Sequence, residues 1–295
     1  MRVAAILGLG SSAGDLKPFQ IEAGITCSIG LPSDADEVDA VLVFGGDGTV
    51  HRHLAPLVKL GLPVLVVPCG SGNDFARALE LRRVRDSLSA WRHFLAGGKN
   101  TSIIDLGRIT PVSNADARLP PAVGRYFCCV GGVGLDAEIA RRANNLPRWL
   151  RGHGGYALSL PGTLARFAPF PMRILLAHHH DAFVERHSGP AVLAAFANAP
   201  AYGGGMRIAP NAQMDDGRLD VCLITDINKF KLFCLFPTVY FGGHLGISQV
   251  DYFQADRLRL ETESPLDVYA DGEYVCRTPV EVSVAPRALT VIVAS

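Results

Sequence analysis

Three apolar runs near the start of the chain each break into a glycine-rich loop. "VAAIL" leads into "GLGSSAG", "AVLVF" into "GGDGT", and "VLVVP" into "CGSGND". Glycine weakens the interior of helices and strands, so Gly45, Gly46 and Gly48 need a reason. Either the chain turns tightly there, or a ligand approaches its backbone. Helix-like stretches, "VHRHLAPLVKL" and "FARALEL", follow the second and third loops. Buried apolar runs alternating with helices predict parallel strands in an α/β sheet. Ligands in such sheets sit at the C-terminal ends of the strands, where these loops fall. The leading "MRVAAIL" reads as the first buried strand and not as a signal peptide.

The two central loops carry the chemistry. Backbone N–H groups at Gly45, Gly46 and Gly48 can converge on phosphate oxygens, helped by the N-terminus of the next helix. Asp47 would repel phosphate unless Mg²⁺ lies between them. Thr49 adds a hydroxyl donor. The plainer reading is a strand-to-helix turn capped by Asp47 and Thr49. The next loop repeats the pattern: Gly70 and Gly72 open the backbone, Ser71 offers a hydroxyl, and Asn73 or Asp74 can cap the following helix.

The pattern changes after Ser102. Short β-like runs follow, among them "RYFCCV", "MRILLA", "AVLAAFA", "RLDVCLI", "LDVYA" and "VEVSVA", and they predict an antiparallel sandwich or barrel. A helix is expected between Asn228 and Phe241. With 295 residues, 48% of them apolar, the chain has material for two domains. The expectation is an α/β domain over 1–101, joined by the C-terminal segment 285–295, and a β-rich domain over 102–284.

Several function classes are disfavoured. Twenty-eight basic residues balance twenty-eight acidic ones, which argues against a general nucleic-acid binder. Seven cysteines without a CxxC spacing argue against a disulfide framework or a zinc site and for a reducing cytoplasm. The most apolar stretch, from Phe230, is interrupted by Lys231, Pro237 and a glycine pair, and is too broken to span a bilayer. There is no G-x-x-x-x-G-K-[ST] and no H-R-D or D-F-G, and "GLGSSAG" is not G-x-G-x-x-G. The run His178-His179-His180 sends alternate side chains to opposite faces and reads as a polar strand end. His51 and His53 are poorly spaced as a helical pair of ligands. Phe230, Phe233, Phe236 and Tyr240 fall at helical spacing and read as a core-facing stripe, with a lipid-contacting surface as the alternative.

"GGDGT" followed by "PCGSGNDFAR" resembles the diacylglycerol kinase catalytic domain, shared by bacterial lipid kinases and sphingosine kinases. The resemblance continues through "GVGLDAEIA", "NAPAYGGGMRIAPNAQMDDGRLDV" and "VYADGEY". "GGDGT" also occurs in NAD kinases, so an NAD kinase-like enzyme is the first alternative, and a non-catalytic nucleotide- or lipid-binding relative the second. Early in the chain "GLGSSAG" replaces the usual Asn-Pro loop. The resemblance implies an N-terminal α/β nucleotide-binding domain with a C-terminal antiparallel β-sandwich. It implies an ATP- and Mg²⁺-dependent kinase that phosphorylates a lipid hydroxyl, most simply that of diacylglycerol.

Site roles follow from the same resemblance. Gly45, Gly46, Asp47, Gly48 and Thr49 would hold Mg-ATP, with Asp47 also catalytic, and Ser71 would approach the phosphates. Asp74 and Arg77 match a charged pair near the active site. Asp105, in "IIDLGR", matches an acid at the substrate end, although it also reads as a turn-flanking acid. A structural Mg²⁺ would be held by the Asp216 carboxylate and the carbonyls of Gln213 and Arg218. From the residues alone, Asp215, Asp216 and Asp220 around Gly217 suit either a hard cation or a simple D-G turn. Glu273 of "DGE" would be the general base, on what also reads as a D-G hairpin. Such an enzyme would be cytoplasmic, would visit the inner membrane surface where its lipid substrate lies, and could form a homodimer.

Overall fold

The computed structural model describes residues 1–20, 24–112, 124–144, 162–164, 167–178 and 181–294. The chain divides into two compact units, Met1–Asp105 with Pro286–Ser295, and Leu106–Ala285.

The first unit is a parallel sheet. Its strands are β1 (Arg2–Leu7), β2 (Thr26–Ile29), β3 (Ala40–Gly45) and β4 (Val64–Pro68). β1 pairs in parallel with β2 and β3, β3 with β4, and the end of a late strand adds on through Val291 beside Val64. Every residue of β3 and β4 is buried. Continuous apolar runs such as "AVLVF" therefore suit strands covered on both faces, where alternation would not. Three helices follow the loops: α1 (Asp47–Leu60), α2 (Asp74–Ala78) and α3 (Val84–Leu95). α1 ends at Gly61, whose φ of 64° closes the helix in the left-handed region. Trp91 of α3 is fully buried and donates its indole N–H to the Phe19 carbonyl at 3.0 Å.

The second unit is antiparallel. It contains β6 (Arg125–Phe127), β7 (Val130–Gly134), β8 (Phe170–Ala177), β9 (Val184–Ala197), β10 (Leu219–Thr225), β11 (Val250–Ala255), β12 (Arg257–Thr262), β13 (Asp267–Ala270) and β14 (Glu273–Arg277). The chain passes from one unit to the other within β5 (Thr101–Pro111) and β15 (Val280–Ile292). Within this unit β14 pairs with β13, β13 with β7, β7 with β9, β9 with β8 and β10, and β8 with β12. α4 (Leu135–Asn144) follows β7. α5 (Lys229–Leu235), continued by a 3₁₀ segment Phe236–Phe241, supplies the helix expected between Asn228 and Phe241. The core gathers inward-facing residues such as Phe127, Val133, Phe196, Val221, Leu258, Val268 and Val282.

Two expectations are corrected here. "RYFCCV" is not one strand: it breaks at Cys128–Cys129, whose N–H groups turn to a carboxylate and leave the ladder. The aromatic stripe faces the core only in its second half, where Phe236 and Tyr240 are half-buried and Phe236 lines an apolar cavity with Leu232 and Leu235. Leu232 and Leu235 are buried, whereas Phe230 and Phe233 are 75% and 52% exposed.

Candidate active site

The three glycine loops meet at the C-terminal ends of the parallel strands. The first is tied down by Ser11, whose hydroxyl donates to the carbonyls of Gly8 (2.7 Å) and Phe44 (3.0 Å). The second and third touch backbone to backbone. A Cβ at Gly46 would stand 2.9 Å from the Gly70 Cα, and one at Gly70 would collide with the Gly46 Cα. No side chain fits at either position.

Asp47 ties these loops together. Its Oδ1 accepts the N–H of Phe75 at 3.0 Å, so it caps α2 from the first turn of α1. Gly72 leaves room for this, because a Cβ there would lie 2.7 Å from the Asp47 Oδ2. Asn73, expected as the cap of α2, does not cap it. It adopts φ 55° and folds its amide back on Gly70, accepting from that N–H (2.9 Å) and donating to that carbonyl (2.7 Å). Thr49 is buried in the first turn of α1, packed against the Gly45 backbone. Ser71 is exposed at the loop tip and makes no hydrogen bond among the described residues. Asp74 is buried and pairs with Arg77 at 2.5 Å. The first turns of α1 and α2 bring N–H groups that lack a helical acceptor to this corner, a setting that favours anions.

Asp105 lies inside β5, not beside a turn. It is fully buried, and its Oδ1 accepts the N–H of Arg287 at 2.6 Å, where the backbone is left-handed (φ 53°).

In the second unit, Asp271 and Gly272 take φ of 51° and 81° and join β13 to β14, the two-residue hairpin that "DG" signals. Asp271 does more than turn. Its carboxylate accepts the N–H of Cys128 (2.9 Å) and of Cys129 (2.8 Å), and its own N–H donates to the Val130 carbonyl (2.9 Å). Asn198 completes the arrangement: its Nδ2 donates to the Cys128 carbonyl (3.1 Å) and its N–H to that of Cys129 (2.8 Å). Glu273, the first residue of β14, is half-buried on this anchored hairpin. Neither Asn198 nor the anchoring role of Asp271 was read from the sequence. The hairpin was visible in "DG", but the partners of Asp271 lie 143 and 142 residues away.

The Asp216 loop also lies in this unit. Asp216 Oδ1 accepts the Arg218 N–H at 3.0 Å, and Oδ2 accepts Gln254 Nε2 at 3.2 Å. The same amide reaches the buried Asp220 at 3.4 Å, and the Tyr252 hydroxyl donates to Asp220 at 2.7 Å. Burial raises the Asp220 carboxyl above its ordinary range. The Tyr252 and Gln254 bonds oppose that rise, and the Asp216 charge adds to it. Asp216 is exposed beside Gln213 and Arg218, so this loop offers carboxylate and carbonyl oxygens, the ligand types that Mg²⁺ takes. The histidines read from the sequence as something other than ligands have these places. His53 bonds the Thr49 carbonyl within α1, His178 lies beside Asp256, and His179 and His180 lie outside the described residues.

A parallel sheet with glycine loops at its strand ends, followed by an antiparallel unit, places the molecule in the NAD kinase/diacylglycerol kinase fold class. Residues 30–109 match the diacylglycerol kinase catalytic domain, and residues 130–293 the YegS C-terminal NAD kinase beta sandwich-like domain. The diacylglycerol kinase of Mycobacterium tuberculosis H37Rv is 34% identical over 88% of this chain and 78% of its own length. That of Bacillus subtilis is 25% identical over 81% and 72%. A diacylglycerol kinase from Bacillus anthracis shares the fold with a TM-score of 0.64 at 18% identity, covering 99% of this chain and 96% of that one. An NAD kinase from Archaeoglobus fulgidus, solved with ATP, superposes with a TM-score of 0.52 at 12% identity, covering 100% and 94%. The chain belongs to the diacylglycerol kinase family. That membership supports a phosphotransferase.

Two outcomes follow. Asp216→Ala should abolish the rise in melting temperature that Mg²⁺ produces, since a cation that binds only the native state stabilises it by mass action. An equal Mg²⁺ response in variant and parent would remove the ion from this loop. Asp271→Asn tolerates the left-handed turn but presents an amide where a second acceptor is needed. Denaturant titration should show a loss of about 1–3 kcal/mol.

Proposed function

We propose that this chain transfers the γ-phosphoryl group of ATP to a lipid hydroxyl, with diacylglycerol as the simplest acceptor. One observation carries the assignment of the base. Of the acids given a role, Asp47, Asp74, Asp105, Asp216 and Asp271 each use carboxylate oxygens on a backbone N–H or an arginine. Glu273 makes no side-chain hydrogen bond or ion pair among the described residues, yet it sits on an anchored hairpin. A general base needs a lone pair that is available and a position that is fixed.

The proton of the lipid hydroxyl passes to Glu273 as its oxygen bonds to the γ-phosphorus. The bond to the β-phosphate oxygen breaks, and ADP leaves. Gly45 to Thr49 and Ser71 cradle the phosphates, chiefly through backbone N–H groups, and Asp47 keeps the two loops in register. Asp74 and Arg77 would border the substrate, with the buried Asp105 acting behind them through the Arg287 backbone it holds. Mg²⁺ supplies charge neutralisation on the phosphates, and at the second unit it would be held by Asp216 with the carbonyls of Gln213 and Arg218. The work left to the protein is positioning and electrostatics, as in phosphoryl transfer generally. The family and its relatives named diacylglycerol kinase support the lipid acceptor. Incubation with labelled ATP, Mg²⁺, a panel of lipids and NAD tests it directly. A labelled lipid is the expected product, and label in NAD alone would overturn the reading.

Glu273→Gln keeps shape and removes basicity. Its kcat should fall about 10²–10⁴-fold with ATP affinity unchanged by calorimetry. A variant that keeps most of its rate would make Glu273 a turn residue only.

Asp47 has two separable roles, so two variants are informative. Asp47→Asn retains an acceptor for the Phe75 N–H and loses the charge. Asp47→Ala loses both and should cost a further ~1 kcal/mol, the usual price of a helix cap. Both should be inactive. Near-normal turnover in the Asn variant would leave Asp47 as a brace alone.

A further inference from the structure

We propose that the outward face of α5 and its 3₁₀ continuation docks on an anionic membrane surface. The inference rests on the lipid-kinase reading for its purpose, but on the residues of this segment for its location.

α5 is a short helix with two faces. Asn228 caps it, its Oδ1 accepting the N–H groups of Phe230 (2.8 Å) and Lys231 (3.3 Å). Leu232 and Leu235 point into the unit. Phe230 and Phe233, one turn apart, point out, and Phe241 at the end of the 3₁₀ segment is 86% exposed. No large apolar residue among those described is more exposed than Phe241. Single exposed apolar residues are ordinary, but aromatics concentrated on one short segment mark a contact surface. A phenylalanine has neither hydroxyl nor indole N–H to satisfy in water, so exposing it brings no polar compensation.

Charge selects the occupant. Between Thr225 and Gln249 the sequence holds Lys229 and Lys231, both exposed, and a single acid, Asp226. Arg207, also exposed, donates its N–H to the Val239 carbonyl at 3.1 Å and adds a third cation beside the segment. Lys231 reaches the neutral amide oxygen of Gln249 at 2.6 Å, which leaves its charge uncompensated there. Apolar side chains flanked by lysines suit a bilayer interface, with rings among the acyl chains and ammonium groups at the phosphates. A second copy docking through the same patch would bring both copies of Lys229 and Lys231 into one interface, because a two-fold contact uses the same patch twice.

The face is also connected to the hairpin of Glu273 within the same unit. Under α5, Leu232, Leu235 and Val239 line a cavity of about 40 Å³ together with Tyr202, whose hydroxyl bonds the buried Asp136. Tyr202 lies on the loop that begins at Asn198, and Asn198 holds the Cys128–Cys129 segment to which Asp271 is tied. A surface that seats α5 therefore bears on the loop supporting the base.

Vesicle flotation of the full chain tests this. The vesicles are phosphatidylcholine alone, or an equal mixture of phosphatidylcholine and phosphatidylglycerol, both without diacylglycerol. The parent chain should float with the anionic vesicles, weakly with the neutral ones, and less as salt rises. Phe230→Ser/Phe233→Ser should lower the anionic-vesicle affinity by about tenfold or more. Lys229→Ala/Lys231→Ala, which leaves the aromatic face intact, should lower it by about tenfold at low salt. Melting temperatures and phosphorylation of a short-chain diacylglycerol in free solution should stay at parental values in both. Equal flotation of the Phe variant and parent would overturn the proposal, as would a parent that does not float. A parental dimer dissolved by the Phe substitutions, with flotation unchanged, would give the face to a second copy and also overturn it. The two readings fail separately. Flotation without phosphorylation of any lipid sinks the kinase reading and keeps the face, and phosphorylation of the short-chain lipid without flotation does the reverse.

Discussion

One carboxylate accepting two consecutive backbone N–H groups holds together the corner on which Glu273 stands. The Cys128–Cys129 dipeptide leaves the ladder between β6 and β7, and its polar groups need partners where no water reaches them. Asp271 takes both N–H groups, and Asn198 takes both carbonyls, one with its side chain and one with its backbone. Only a carboxylate offers two equivalent acceptors at this spacing. An amide would set a donor against one of the N–H groups. Hydrogen bonds to a charged acceptor are worth roughly 1.5–3 kcal/mol each, and they add to the ladder of β13 with β14 and β7 in fixing the hairpin.

The first unit solves a similar problem with glycine. The two loops proposed to cradle phosphate lie backbone to backbone, and the Gly46–Gly70 contact leaves no room for a side chain. Asp47 then crosses from one loop to the next and caps α2. A substitution in either loop is thus felt in both. This is why the plain reading of Asp47 as a cap and the chemical reading of it as a ligand for Mg-ATP are not alternatives: the cap uses Oδ1, and a carboxylate has more than one lone-pair direction.

The division into a parallel α/β sheet and an antiparallel β-rich fold was legible because it rests on local pattern. Continuous apolar runs such as "VLVVP" ending in glycine differ from short runs separated by turns. The hairpin at Asp271–Gly272 was legible for the same reason, since a type of turn is written in two residues. What the sequence did not disclose is long-range. The break at Cys128–Cys129 comes from an acid far along the chain. The amide of Asn73 serves Gly70 because Asp47, from another helix, has already taken the capping position. The aromatic spacing of α5 was read correctly as helical. The direction of Phe230 and Phe233 was not, because Leu232 and Leu235 offered a second apolar face at the same period and only packing decides between them.

The motif acids share a physical logic that bears on the proposed base. Asp47, Asp105, Asp216 and Asp271 are short side chains close to the backbone, and each accepts a main-chain N–H at a turn, a strand break, a left-handed residue or a helix start. Each has at least one carboxylate oxygen engaged by the backbone, which suits a brace or a cation ligand. Glu273 has one more methylene and follows the turn instead of forming it, so its carboxylate stands clear of the N–H groups that Asp271 occupies. The family motif joins the two in three residues because they are complementary. The aspartate supplies rigidity by giving up its lone pairs, and under the proposed function the glutamate would keep its own for the substrate.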